Sequence, residues 1–509
     1  MDELPGFEAV KGSKPEWLTE SEPLPRLKPI NRKQLLLRPI DVEALVPVDH
    51  EVRAIWEFTG HLDLSSYYET IHAVEGKAGC TAFDPRLLLS LWIYAYSKGI
   101  GSAREISRLC DSDPAYQWLT GMEPVNYHTL ADFRSSHKDS LDRLFVEVLA
   151  IMSAEGLITL ERVTQDGTKI KALAGSNSFR REERIREHLK AAEEQVLSPP
   201  DEEAGLREQR ARERAVKEKK ERMEHALREL EKMREAKSGG EAKNARASMT
   251  DPDARIMKEW DGGRVPAYNV QISTDAAAGV IVGVGVSQRP DDSQELVPAV
   301  ERIGKNLGKS PEHMVADGGY TSWENVVAMD ESGIDFIGSL TDRSRTAGRF
   351  QQRGVDAAFY PEHFTYDEGS DTYTCPEGKI LRPSGEVRRP GRTNHMYRSR
   401  RKDCLSCPHR ERCCPGKTNM RSVARRVDDP ALVSFTEKMK TEEAKEIYKQ
   451  RAAIAEFPHA WIKEKIGLRQ FRLRGLLKVG MEALWACVTY NIQQWIRLCW
   501  RPRLASAGV

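Results

Sequence analysis

The chain has 509 residues, of which 39% are hydrophobic and 30% are charged, and its formal net charge is +1. This length exceeds one ordinary hydrophobic core, so several structural units of about 100–200 residues each are expected. A protein that binds nucleic acid over its whole surface would be more basic. Any contact with nucleic acid must therefore come from local basic patches.

The sequence predicts neither an export signal nor a membrane span. The opening segment Met1–Pro5 lacks the basic and apolar regions of a signal peptide. The longest smooth apolar run, Ala276–Val286, is shorter than the roughly 20 residues that cross a bilayer. Without an export signal, the nine cysteines indicate reduced thiols or a metal site. We therefore expect a cytoplasmic protein with no membrane partner.

The first part of the chain is predicted to be helical. Asp84 followed by Pro85 is typical of an N-cap and a first helical position, and Ser102 with Glu105 forms a capping-box pattern. From Thr129 the apolar spacing predicts one long helix through Ile151. Short helices joined by tight turns are compatible with a helix-turn-helix DNA reader and equally with a plain helical bundle.

A highly charged segment extends from about Phe179 to Lys237. Strong helix formers and opposite charges three or four residues apart predict a long solvated helix or a helical hairpin. The apolar residues Leu189, Val196 and Leu206 are too sparse for a sustained heptad seam. A spacer or arm is therefore favoured over a coiled-coil dimer.

Strand signals lie on both sides of this segment. A short strand from Glu161 is predicted to end at Asp166, and another, His313–Ala316, to end at Asp317. Further strands are predicted at Tyr268–Ser273 and Gly279–Val286, which form a hairpin, and at Ile334–Ile337. Helical patterns separate the later strands, so we expect a mixed α/β sheet.

Asp166 and Asp317 each follow a predicted strand and precede a glycine. Either aspartate alone is more often a turn residue. Together, on strands that can pair, they suggest a site for hard divalent cations, which take oxygen ligands. Two such ions about 3.5–4 Å apart can neutralise the attacking and leaving oxygens of a phosphoryl transfer.

Four motifs in chain order carry a resemblance to a known family. They are Gln165–Ala172, Tyr268–Gln271, Ala316–Ser322, and the set Tyr448, Arg451, Glu456 and Lys463. They resemble bacterial insertion-sequence transposases with a DDE triad on a ribonuclease H-like fold. The likeness extends through nearly the whole chain, including the N-terminal helical domain and the final Arg472–Asn491.

This resemblance implies a triad of Asp166, Asp317 and Glu456 that holds Mg²⁺ or Mn²⁺. Tyr448, Arg451, Glu456 and Lys463 would match the family's Tyr-Arg-Glu-Lys signature, whose basic members contact DNA phosphates. On an ideal helix these four residues lie within roughly 140° of one another. Pro458 is expected to kink that helix just past Glu456.

Composition and resemblance together predict an α/β protein of six segments. These are an N-terminal helical DNA-binding domain (1–155), the first strand of a ribonuclease H-like catalytic domain (156–178), a charged helical insertion (179–260), the catalytic domain continued (261–345), a Cys/Arg-rich insertion (346–435) and the C-terminal helices of the catalytic domain (436–509).

The cysteine-rich segment has a spacing close to that of a tetrathiolate site. Cys404 and Cys407 form a CxxC knuckle, and Cys375 and Cys413 complete the best set of four. Cys414 is a substitute for Cys413. We favour structural Zn²⁺ here because the segment has little apolar material for a core. An iron–sulfur cluster and metal-free thiols remain alternatives.

Two basic clusters flank the third carboxylate. One contains Arg388, Arg389, Arg392, Arg398, Arg400, Arg401 and Lys402, and the other Lys463, Lys465, Arg469, Arg472, Arg474 and Lys478. Such clusters favour salt-sensitive phosphate contacts, although a solubilising surface would fit any one arginine. The candidate DNA-binding residues are Tyr448, Arg451, Lys463, Arg472, Arg474, Arg400 and Arg401. Sequence choice would fall to the N-terminal domain, with Arg134 and Lys138 as candidates.

The predicted function is that of a DNA transposase. It would bind the terminal repeats of an insertion sequence, cleave a strand with metal assistance and join the freed 3′-OH to target DNA. The resemblance implies double-stranded DNA as the partner and at least a homodimer on DNA. Two alternatives remain: a catalytically inactive DNA-binding protein derived from such an enzyme, and a metal-dependent nuclease without joining activity.

Overall fold

A computed structural model of the protein describes residues 39–73, 81–197, 205–236, 242, 244–259, 262–339, 348, 350–389, 392–415 and 419–506. The opening segment Met1–Pro5 and the side chains of Val196 and Leu206, which entered the predictions, lie outside this set. Among the helices of the described residues, none combines the length and apolarity needed to cross a bilayer.

The N-terminal part is helical, as predicted. After a short 3₁₀ turn (Glu43–Leu45) come α1 (Glu51–Gly60), α2 (Ser65–Tyr68), α3 (Pro85–Ser97), α4 (Ala103–Ser112), α5 (Pro114–Thr120), α6 (Tyr127–Ser136) and α7 (Lys138–Ala154). The Asp84 carboxylate accepts a hydrogen bond from the Arg86 N–H, and the Ser102 hydroxyl accepts one from the Glu105 N–H. Both predicted caps are therefore confirmed.

The prediction of one continuous helix from Thr129 to Ile151 is wrong. The chain leaves helical geometry at His137 (φ −114°, ψ 59°), which separates α6 from α7. The His137 ring lies 5.5 Å from the Tyr67 ring and 5.6 Å from the Phe133 ring, centroid to centroid. The break therefore lets α6 pack on α4 while α7 takes a separate direction.

A mixed six-stranded sheet follows. Its strands are β1 (Arg162–Lys171), β4 (Arg255–Lys258), β5 (Arg264–Asp275), β6 (Ile281–Ser287), β7 (His313–Ala316) and β8 (Asp335–Gly338). The order is β4-β5-β1-β7-β8, and β6 also pairs with β5. β1 is antiparallel to β5 but parallel to β7, which is parallel to β8. The mixed α/β sheet and the hairpin of β5 and β6 are thereby confirmed.

The prediction that the first strand ends at Asp166 is wrong, because β1 continues to Lys171. On one side β7 pairs with β1 only as far as Gln165, opposite Ala316. On the other side β5 goes on pairing with β1 as far as Lys171, opposite Ala267. Asp166 therefore lies in the middle of a strand, at the point where its parallel neighbour stops.

The charged segment forms the predicted helical hairpin. Its elements are β2 (Phe179–Arg180), α8 (Glu182–Leu197), α9 (Leu206–Glu235) and β3 (Ala247–Ser248), with a 3₁₀ turn (Ser176–Ser178) before them. α8 and α9 share a small core that includes Ile185, Met223 and Leu230. β2 and β3 pair at the base of the hairpin. The edge strand β4 of the main sheet lies within the segment 179–260, so part of this segment belongs to the main sheet.

Two helices accompany the later strands of the main sheet, and a second sheet follows. The helices are α10 (Leu296–Leu307) and α11 (Trp323–Glu331). The five-stranded antiparallel sheet contains β9 (Thr365–Asp367), β10 (Thr372–Thr374), β11 (Ile380–Arg389), β12 (Arg392–Ser399) and β13 (Ser422–Asp428). Two 3₁₀ turns (Ala357–Phe359, Pro361–His363) precede it, and α12 (Arg401–Leu405) and α13 (Arg410–Cys413) interrupt it. The sequence had not predicted these strands.

Helices close the chain: α14 (Pro430–Lys438), α15 (Glu442–Glu464), α16 (Leu476–Trp495), a π-helical segment (Ile496–Trp500) and α17 (Arg501–Ser506). α15 continues through Pro458, so the helix does not end at that proline. It packs across β1, β5, β7 and β8.

Helix α16 joins the N-terminal helices to the main sheet. It packs on α3 and α7 and also on β6. Its buried Trp485 donates a hydrogen bond from Nε1 to the Arg134 carbonyl (3.2 Å) and stacks on Tyr96, with 6.5 Å between ring centroids. These residues belong to one continuous apolar core. The N-terminal helices and the sheet are therefore expected to unfold together.

Trp485→Ala is expected to lower the free energy of unfolding by about 3–5 kcal/mol, because it removes a buried indole from this shared core. Leu477→Ala is the matched control on the same helix. Leu477 is 62% exposed, so its truncation should change the free energy by no more than about 0.5 kcal/mol. Urea unfolding followed by fluorescence and circular dichroism measures both. Equal effects of the two substitutions would contradict the shared core.

Candidate metal and DNA site

The parallel pairing of β1 and β7 brings Asp166 and Asp317 together. Gln165 is the register partner of Ala316, so the next residue along each segment is one of the two aspartates. The Asp317 Oδ1 atom accepts a hydrogen bond from the Gly319 N–H (2.7 Å). Asp166 Oδ1 accepts one from the Gly167 N–H (2.9 Å). Asp166 therefore lies within β1, and Asp317 lies just past the end of the neighbouring β7.

A third carboxylate, Asp292, lies against β1 on the face opposite to the Asp166 side chain. A Cβ at position 167 would lie 2.6 Å from Asp292 Oδ1, and one at position 319 would lie 3.7 Å from Asp292 Oδ2. Residue 167 is a glycine, and this explains how β1 admits the Asp292 carboxylate so closely. The segment before α10 thereby adds negative charge beside Asp166 and Asp317.

Amide side chains of β5 hold Asp292 in place. The side-chain N–H groups of Asn269 and Gln271 both donate to Asp292 Oδ1, each at 2.7 Å. Gln165 Nε2 donates to Gln271 Oε1 (2.8 Å), and Ser273 Oγ donates to Gln165 Oε1 (2.6 Å). This buried network accounts for the polar alternation in the motif Tyr268–Gln271.

Helix α15 covers the Asp166 side of the sheet with basic side chains. Arg451 Nη1 lies 3.8 Å from Asp166 Oδ2, and His459 Nε2 lies 3.9 Å from the same oxygen. Burial, and next the charge of Lys463, lower the pKa of His459 to about 3, so the ring is neutral near pH 7. Burial also lowers the pKa of Lys463, and Arg469 acts in the same direction.

The surroundings of Asp166 disfavour its charged form. Burial raises the pKa of Asp166 to about 6, and the charges of Asp317 and Asp292 act in the same direction. The Gly167 N–H and the Arg451 guanidinium oppose this shift without overcoming it. Both neighbouring carboxylates therefore add to the cost of ionising Asp166.

Glu456, the third member of the predicted triad, is exposed on α15. It lies between Arg451 and His459 along the helix, next to the buried Ala455. Throughout the part of the chain that the structure covers, Asp166, Asp317 and Glu456 do not bring their carboxylate oxygens within 4.8 Å of one another. The structure thus pairs the two aspartates and leaves Glu456 at the edge of the helix face toward them.

The donor set suits a divalent cation. Asp166 and Asp317 supply carboxylate oxygens, the ligands that Mg²⁺ and Mn²⁺ take. Burial, and next the charges of Asp317 and Asp292, raise the pKa of Asp166 in spite of the nearby Arg451. A bound cation would supply the missing charge, so the residues present fit the metal that the resemblance implies.

The other predicted DNA-binding residues have different surroundings. Tyr448 lies beside Arg451, with 5.7 Å between the guanidinium carbon and the ring centroid. Arg474 Nε donates to the Leu173 carbonyl (3.1 Å), and the Arg472 guanidinium packs against Gly101. The two arginines of the other cluster, Arg400 and Arg401, are exposed at the start of α12.

Of the two candidates for sequence choice, Arg134 is unsuited to that role. It is buried and donates from Nη1 to the Gly101 carbonyl (2.7 Å). Lys138 is partly exposed and forms an ion pair with Asp142. Arg134 therefore stabilises the packing of the N-terminal helices, and its assignment to DNA reading is wrong.

Five cysteines line one small cavity beside the second sheet: Cys375, Cys404, Cys407, Cys413 and Cys414. The Lys379 N–H donates to Cys375 Sγ (3.3 Å), and Cys404 Sγ lies 3.0 Å from Ser399 Oγ. A hydrogen bond from the Cys414 thiol lowers the pKa of Cys413 against the effect of burial. The same contact, together with burial, raises the pKa of Cys414.

A second group of ligand-type side chains joins α9 to the sheet. His225 Nε2 lies 3.1 Å from Asp253 Oδ1 and 3.8 Å from Glu229 Oε1. Glu229 also forms ion pairs with Arg255 and Lys232, and Asp253 Oδ2 accepts from the Leu476 N–H (2.8 Å). Because protein groups already satisfy these oxygens, the cluster anchors the helical hairpin on the sheet.

Sequence reasoning did not single out Asp292 or His459. Asp292 lies in a Pro-Asp-Asp-Ser stretch that reads as an ordinary turn. His459 follows Pro458 at a position where a lone histidine has no metal-ligand spacing to another histidine or cysteine. The only available signal was helical phase, since residues 455, 459 and 462 lie on one side of α15.

Two family models match the chain. One, described as a transposase DDE domain, matches residues 374–496, which include the cysteine cluster, Arg451, Glu456 and Lys463. The other, a transposase domain (DUF772), matches residues 40–136, which cover α1 to α6. Asp166 and Asp317 lie outside both ranges. No curated protein matches the chain. Both matched families are transposase families, and the resemblance of this chain to an insertion-sequence transposase of the DDE type is confirmed.

Proposed function

We propose that the protein is a DNA transposase that binds the terminal repeats of an insertion sequence, cleaves a strand and joins the freed 3′-OH to target DNA. The observation that carries this proposal is the placement of Asp166 in β1 beside Asp317, the residue that follows the parallel strand β7, beneath a helix that presents Arg451 and Lys463. The antiparallel strands β6, β5 and β1, continued by the parallel β7 and β8, support a ribonuclease H-like catalytic domain.

Asp166, Asp317 and Glu456 are the proposed ligands of Mg²⁺ or Mn²⁺. When bound, such ions neutralise charge on the attacking and leaving oxygens of the transferred phosphoryl group. Gly167 leaves room for the Asp292 carboxylate and Gly319 for that of Asp317. Asn269 and Gln271 hold Asp292 by hydrogen bonds. The chain's own contribution is thus a preorganised cluster of oxygens on rigid strands.

Arg451 and Lys463 are the proposed contacts to DNA phosphates at this site, with Tyr448 beside Arg451. Arg400 and Arg401 would add exposed positive charge from the second sheet, and Arg472 and Arg474 from the segment before α16. Phosphate contacts of this kind position DNA without reading its sequence. The protein would act in the cytoplasm as at least a homodimer on double-stranded DNA.

Asp166→Asn and Asp317→Asn should each lower metal-dependent strand cleavage at least about a thousandfold, because several kcal/mol of transition-state stabilisation depend on the bound cations. Asp330→Asn, at an exposed carboxylate on α11, should cleave normally. The assay uses labelled DNA carrying the element's ends with Mg²⁺ or Mn²⁺, and gel shifts check that all variants bind DNA.

The products distinguish the transposase from its alternatives. Joined strands in the reaction of the unaltered protein support transposition, whereas cut strands that are never joined would indicate a nuclease. Binding without cutting by the folded, unaltered protein would indicate an inactive DNA-binding derivative. Cutting that survives both Asp166→Asn and Asp317→Asn would show that the active site lies elsewhere.

We further propose that Cys375, Cys404, Cys407 and Cys413 bind a structural Zn²⁺. The cavity that they share, which Cys414 also lines, supports this set. The Lys379 N–H donates a hydrogen bond to Cys375 Sγ, and such a bond would stabilise a metal-bound thiolate.

The unaltered protein, purified without chelator, should contain about one zinc ion per chain, and Cys404→Ser should lose most of it. Loss of the ion should also lower the melting temperature, because metal binding contributes folding free energy. Cys499→Ser, outside the cavity, is the control and should keep its zinc. Elemental analysis measures the content, and its absence from the unaltered protein would contradict the proposal.

A further inference from the structure

His459 has an unusual environment for a buried histidine. Its side chain is 8% exposed, and among the groups that the structure describes neither ring nitrogen finds a hydrogen-bond partner. Buried polar atoms in native proteins are almost always paired. A histidine left unpaired at this depth therefore indicates a partner that is not a protein group.

The position of the ring shows where that partner would be. His459 Nε2 lies 3.9 Å from Asp166 Oδ2, which is too long for a hydrogen bond. A divalent cation lies about 2.0–2.2 Å from imidazole nitrogen and carboxylate oxygen ligands. Since twice 2.1 Å is about 4.2 Å, one ion can reach both atoms without moving either side chain.

The charges around this gap favour a cation over a water molecule. Asp166 is influenced by the negative charges of Asp317 and Asp292, and Arg451 is the cation nearest to it among the described groups. Lys463 lies on the same helix, one turn beyond His459, and is half-buried. A neutral water would satisfy the imidazole but would leave the carboxylates without enough positive charge.

We propose that His459 Nε2 is a ligand of the divalent cation bound at Asp166. This inference rests on the proposed metal-dependent function of the site and adds a ligand to it. Glu456 and His459 are three residues apart on α15, a spacing that sets two side chains on one helix face. An imidazole ligand suits Mn²⁺ better than Mg²⁺, which keeps to oxygen ligands, so the site should prefer Mn²⁺.

A purely packing role for His459 makes a different prediction. The buried face of α15 is otherwise apolar next to this position, with Pro458 and Ile462 adjacent. Phenylalanine is a ring of similar size without nitrogen, so His459→Phe would preserve packing while removing the ligand. A ligand role and a packing role are therefore separable with this one substitution.

The test is Mn²⁺ binding to the full-length protein without DNA, measured by calorimetry and by pulsed electron paramagnetic resonance. The unaltered protein should show hyperfine coupling of Mn²⁺ to an imidazole ¹⁴N nucleus. His459→Phe should lose that coupling and bind Mn²⁺ at least about tenfold more weakly, with a smaller loss for Mg²⁺. His128→Phe, at an exposed histidine, should change neither signal nor affinity.

Each outcome is decisive. Unaltered protein that binds Mn²⁺ without ¹⁴N coupling would overturn the proposal, as would a folded His459→Phe that keeps both coupling and affinity. The experiment on the unaltered protein remains valid even if His459→Phe fails to fold. Asp166→Asn and Asp317→Asn distinguish failure of the metal site from failure of the histidine ligand. If these two substitutions abolish Mn²⁺ binding while His459→Phe does not, the metal site is supported and only the histidine ligand is wrong.

Discussion

Two carboxylates held side by side where a pair of parallel strands separates repel one another, and the surroundings of this site follow from that repulsion. β7 stops one residue before Asp317 while β1 continues, so the register fixes the separation of Asp317 from Asp166. Asp292 adds to the negative charge from the opposite face. Arg451 offsets part of it, and the proposed divalent cation would balance the rest.

Helices α15 and α16 have different structural roles around this site. α15 packs over four strands of the sheet and brings basic side chains and one unpaired imidazole to Asp166. α16 connects the sheet to the N-terminal helices through Trp485. Because one core underlies both regions, the N-terminal helices are mechanically connected to the sheet that carries Asp166.

Local signals predicted much of this arrangement. Capping residues located α3 and α4, and runs of apolar residues located β5 to β8. Strand length and helix breaks depend on neighbours, however. β1 passes beyond Asp166 because β5 continues to pair with it, and the helix predicted from Thr129 breaks at His137 because the rings of Tyr67 and Phe133 hold that residue. The second sheet was missed because β9 and β10 have only three residues each and the longer β11, β12 and β13 are rich in arginine.

The residues of the candidate site were likewise predicted only in part. Asp166 and Asp317 were found because each precedes glycine in a motif, whereas Asp292 reaches the site only through hydrogen bonds from Asn269 and Gln271. His459 could be recognised only in the structure, from its unpaired ring nitrogens and its position beside Asp166.

The central claim, that a divalent cation binds between Asp166 and Asp317, is tested most directly by diffraction from crystals grown with Mn²⁺. We expect an anomalous peak within bonding distance of both carboxylates. A peak only at His225, Glu229 and Asp253, or none at the two aspartates, would contradict it.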